Sequence, residues 1–64
     1  MVDENIPIGT RIEIPVHFDL WMRGARFGTV RRANADYIAV KMDHPQVPRL
    51  VRIARSDWRY VGVV

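Results

Sequence analysis

Asp19-Leu20-Trp21-Met22-Arg23-Gly24-Ala25-Arg26-Phe27-Gly28-Thr29-Val30 decides how this 64-residue chain is read. Its first half has neither the helical nor the strand period, so His17–Gly24 reads as a long loop. Ala25–Arg32 reads as a strand, entered through Gly24 and Gly28. Phe27 and Val30 have opposite parity, and a bulge at Gly28, a usual role for a strand glycine, turns both inward. Trp21 lies in the loop, and so short a chain has little interior in which to hide it. Either Trp21 completes the core or it belongs to a contact surface.

Working outward, Gly9-Thr10 opens an alternation in which Ile12, Ile14 and Val16 point inward and Arg11, Glu13 and Pro15 outward. Pro15 donates no ladder hydrogen bond, which places that strand's end at an edge or a bulge. Residues 1–8 read as a loose arm or a first edge contact, and 9–64 as a single domain. Downstream, 33–36 is a turn, with Asn34 and Asp36 as turn formers. Tyr37–Met42 follows as a strand with Ile38, Val40 and Met42 inward and Tyr37, Ala39 and Lys41 outward. Asp43–Pro48 is a second turn, and Arg49–Ala54 a fourth strand with Val51 and Ile53 inward. Ser56-Asp57-Trp58 is too short for an α-helix and fits a 3₁₀ turn, with Trp58 in the core. Arg59–Val63 closes as a fifth strand. The chain is therefore all-β, a small five-stranded antiparallel structure with a 3₁₀ turn before its last strand.

Hydrophobic residues make up 48% of the chain, enough for a globular core. Cysteine is absent, which excludes disulfides and thiolate zinc sites and suits a cytoplasmic protein. Without a disulfide or metal, a domain this small relies on tight packing or on self-association. No apolar run is long enough for a membrane span or signal peptide. The net charge is +3, a mild bias compatible with nucleic acid. Nine of the ten cations are Arg, whose forks suit phosphates and base edges, although codon bias produces the same excess.

The order of strand, long loop, three-strand meander, 3₁₀ turn and short strand, from Gly9 to Val63, resembles the SH3-like barrel. Gly24 to Val30 is similar to the glycine-bearing turn and strand of KOW- and Tudor-type modules. Arg55-Ser56-Asp57-Trp58-Arg59-Tyr60-Val61 resembles the 3₁₀ turn and last strand of SH3 domains. His17–Gly24 followed by Arg26–Val30 resembles small uncharacterised phage-type proteins, a likeness that implies a setting and no activity. His44-Pro45 and Val51-Arg52-Ile53-Ala54 resemble segments of type II dihydrofolate reductases. Arg52 and Ala54 replace the residues that carry that family's binding role, so only the fold is implied.

Two candidate sites follow. The first is nucleic-acid binding, to DNA or RNA, on the outer sheet face: Arg31, Lys41 and Arg52 contact phosphates, Tyr37 stacks a base, and Arg23 and Arg26 lie at the margin. The alternative is a protein-contact patch of Phe18, Asp19, Trp21, Met22 and Tyr60, for a partner or a second copy. His17 and His44 have no metal-ligand spacing. A lone serine, Ser56, and the absence of a phosphate loop give no catalytic constellation, so no enzyme activity, cofactor or metal is expected.

Overall fold

The alternation Arg11-Ile12-Glu13 builds β1, three residues long, with Ile12 fully buried. In the computed structural model, which describes residues 6–64, four further strands follow. They are β2 (Phe27–Ala33), β3 (Tyr37–Met42), β4 (Leu50–Ala54) and β5 (Gly62–Val63). All pairings are antiparallel, and the strand order is β4-β3-β2-β1-β5. The sheet is open: no ladder joins β5 to β4. Arg55–Tyr60 forms a six-residue 3₁₀ segment between β4 and β5. It is longer than Ser56–Trp58 and shortens the last strand from the expected Arg59–Val63 to two residues.

One sheet face is apolar and buries Ile12, Val30, Ile38, Val40, Met42 and Ile53. The registers Val30↔Val40, Val40↔Val51 and Ile38↔Ile53 set these side chains against each other. Trp58 covers this face from the 3₁₀ segment, and its Nε1–H donates to the Ile53 carbonyl at 2.9 Å. A buried indole needs such a partner, because an unpaired N–H in an apolar core costs about 1–3 kcal/mol. The asparagine turn is also formed: Asn34 Oδ1 accepts from the backbone N–H groups of Asp36 and Tyr37, at 2.8 and 2.9 Å. Those bonds start β3 at Tyr37.

Four local expectations are corrected. His17–Gly24 is not a plain loop: Asp19–Met22 forms a single helical turn, α1. Gly24 ends it with φ +93, a conformation that side chains with a Cβ rarely adopt. Gly24 N–H donates to Trp21 O at 3.2 Å and Ala25 N–H to Leu20 O at 2.9 Å, the paired bonds of a Schellman cap. Ala25 is buried in the core and Leu20 packs against it, the apolar contact that accompanies such caps.

The bulge, second, is not at Gly28. The β2–β3 register shifts between Val30 and Arg32, so Arg31 is the extra residue. Gly28 sits in regular pairing with Ile12 and Met42. A Cβ there would lie 2.6 Å from Val40 Cγ1 and 2.7 Å from the Lys41 carbonyl oxygen, so close strand approach requires glycine. Phe27 consequently faces outward with Glu13 and is 41% exposed.

Third, β1 ends at Glu13: Ile14 and Pro15 are buried, whereas Val16 lies in the turn beyond and is exposed. Fourth, Ala39, on the outer face by parity, is nearly inaccessible, flanked by Arg32 and Arg52 in the ladder. Of the expected N-terminal arm, residues 1–5 lie outside the described residues. Ile6 is in the core and Gly9 N–H donates to Val30 O at 2.7 Å, so packing begins ahead of Gly9. No helix among the described residues is long and apolar enough to cross a membrane.

Candidate nucleic-acid interface

The outer face of the meander is set by the ladders. Arg11, Thr29, Lys41 and Leu50 form one cross-strand row, and Arg32, Ala39 and Arg52 the next. Tyr37 lies beyond them, opposite Ala54. β2, β3 and β4 carry Arg31, Arg32, Lys41 and Arg52 and contain no Asp or Glu. Arg31, expected in the row by simple alternation, is the exposed bulge residue, and Arg32 takes its ladder position. The bulge inverts parity along β2, which alternation counted from Thr29 does not reveal.

Several cations on this side have partners. The Arg52 guanidinium lies over the Tyr37 ring, 4.8 Å from its centroid, so one face of the expected stacking platform is covered by an arginine. Lys41 Nζ donates to the Pro48 carbonyl at 3.3 Å, which fixes its ammonium beside the 43–49 turn. Arg11 pairs with Asp43 at 2.8 Å, both about half exposed. Such an exposed pair contributes about 1 kcal/mol or less. Among the described residues, Arg31 and Arg32 make no ion pair.

The two marginal arginines have contacts of their own outside the three strands. Arg26 lies over the Trp21 ring, 3.9 Å from the centroid, and its Nε–H donates to Trp21 O at 3.3 Å. Arg23, at the end of α1, lines a separate cavity together with His44 and Arg49. Arg32 and Arg49 were not among the expected site residues. The turn signal that frames Arg49 carries no information about what it faces across the fold.

The expected aromatic patch divides in two. Trp21 is half-buried against the core, and its Nε1–H donates to Glu13 Oε2 at 3.1 Å. With Arg26 on its ring, Trp21 has little free surface or polar capacity left. His17 packs edge-on against both Phe18 and Tyr60, with centroids 5.1 and 5.4 Å apart, and its Nε2 is 3.5 Å from Asp57. Phe18 is partly buried, Asp19 is exposed in the first turn of α1, and Met22 and Tyr60 are 79% and 57% exposed.

No protein-family model, curated protein or solved structure matches the chain. The site must therefore be read from its own chemistry.

Proposed function

We propose that this chain is a non-catalytic nucleic-acid-binding module that grips the phosphate backbone with the outer face of β2, β3 and β4. One observation carries the reading: Arg31, Arg32, Lys41 and Arg52 come from three adjacent strands that contain no carboxylate. Clustered cations without acids neutralise phosphates and release counterions. Tyr37, partly exposed and with Arg52 over its ring, is the residue proposed to stack a base. The order β4-β3-β2-β1-β5, with a 3₁₀ segment before the last strand, favours the SH3-like barrel class. The likeness of 17–30 to phage-type reading frames favours a small cytoplasmic accessory role.

The test is fluorescence anisotropy with labelled duplex DNA and single-stranded RNA across a salt series. Engagement of three or four phosphates gives a slope of log K against log salt of about −3 on duplex. Arg32→Gln with Arg52→Gln reduces the magnitude of that slope by about 2. Absence of binding at low salt, or an unchanged slope in the double variant, sinks the reading. A second reading, contact with a protein partner, is favoured by the exposure of Met22 and Tyr60. It requires that Met22→Ser or Tyr60→Ser abolish partner capture while leaving the fold intact.

A further inference from the structure

A cavity of about 280 Å³ opens beside the sheet face, between α1 and the 43–49 turn. Leu20, Ala25 and Val47 supply apolar lining, and Arg23, His44 and Arg49 supply basic groups. Among the described residues, no Asp or Glu lines it. Asp43, the acid of the same turn, is engaged by Arg11. Arg23 and Arg49 both line this small concavity, and among the described residues neither makes an ion pair. Gln46 N–H donates to His44 Nδ1 at 3.2 Å, which leaves Nε2 as the proton-bearing nitrogen and a donor.

We propose that this cavity binds a phosphate monoester carried on a flat apolar body, of which a nucleoside monophosphate is the representative. A monoester carries about −1.5 to −2 charges at neutral pH, the complement of two guanidiniums. A carboxylate, with one charge, leaves the second arginine unmatched. Arg forks pair with phosphate oxygens in bidentate fashion, and the leucine, alanine and valine offer a surface for a ring. The volume lies just below the range of about 300–1,000 Å³ typical of ligand pockets, room for about one nucleotide unit. The phosphate has two possible sources, a free mononucleotide or the 5′-terminal phosphate of a strand. Pro48 lines the cavity and accepts from Lys41 of the sheet face, so the two surfaces adjoin. The cavity site stands independently of sheet-face binding.

The test is an amide NMR titration of the full chain with adenosine 5′-monophosphate, adenosine and acetate. The monophosphate is expected to shift the amides of 23–25 and 43–49 saturably, while adenosine and acetate at equal concentration do not. Arg49→Gln weakens the monophosphate about tenfold, the loss of one charge-assisted pairing. Equal shifts from adenosine, shifts confined to Arg31, Arg32 and Arg52, or undiminished affinity in Arg49→Gln each overturn the proposal. A 5′-phosphorylated oligonucleotide then separates the sources. Tighter binding than its 5′-hydroxyl counterpart, lost in Arg49→Gln, assigns the strand terminus; equal binding with the monophosphate response intact assigns the free nucleotide. The 5′-hydroxyl oligonucleotide reports the sheet face alone, so either surface can fail without the other.

Discussion

Gly28→Ala is the sharpest probe of this fold, because an open strand position and a close approach between strands give it opposite signs. At an open strand position with φ below zero, alanine improves on glycine by about 0.5–1 kcal/mol, since it restricts the unfolded chain. In the observed register the added methyl arrives 2.6 Å from Val40 Cγ1 and 2.7 Å from Lys41 O. Val40 is fully buried, and the Lys41 carbonyl belongs to β3, which is paired on both sides. Neither neighbour yields cheaply. Overpacking costs about 1–3 kcal/mol, and a backbone obstacle puts this case near 3. For a domain of this size that lowers Tm by roughly 12–24 °C. Thermal and urea melts followed by circular dichroism measure it. Val40→Ala removes one of the two obstacles and leaves the carbonyl. Gly28→Ala is therefore about 1 kcal/mol cheaper in that background, a coupling that a double-mutant cycle isolates. A Gly28→Ala protein as stable as the parent would refute the β2–β3 register.

Other perturbations follow from single contacts. Trp58→Phe keeps most of the ring but removes the indole bond to the Ile53 carbonyl, and should cost about 0.5–1.5 kcal/mol in urea unfolding. Asn34→Ala removes both acceptor bonds of the turn and should destabilise by about 1 kcal/mol, with the largest amide shifts at Asp36 and Tyr37. Trp21→Ala should cost about 2 kcal/mol, below the usual penalty for a fully buried tryptophan, through lost packing and a released Glu13. It should leave the salt slope of nucleic-acid binding unchanged, because Trp21 carries no charge and is not among the proposed phosphate contacts.

Long alternating segments were legible from residues alone. Ile38, Val40 and Met42 in β3, Ile53 in β4 and the buried Trp58 lie where alternation and residue type put them, because strand parity is fixed by covalent geometry. What was missed depends on contacts between segments. Helix α1 spans one turn, too short for any helical period, and its main local signal is the glycine that caps it. A β-strand glycine serves a bulge or a close approach, and only the neighbour across the ladder, here Val40, decides which. Misplacing the bulge put Phe27 inward and exchanged Arg31 for Arg32. The basic cavity unites two loops distant in sequence, so no local motif announces it.

The pairing of β5 with β1 bears on the order of assembly. Ile12 meets Val63 across nearly the whole described chain, while β2, β3 and β4 are joined by short turns. Loop-closure entropy makes local pairings cheap and the β1–β5 ladder slow. The meander therefore forms early and the terminal ladder closes late. The cationic rows lie mainly on the early part, so on the nucleic-acid reading proposed above a polyanion would engage a partly folded chain and act as a template for its completion. Refolding in the presence of short oligonucleotides should then be faster than in buffer, an acceleration that high salt removes.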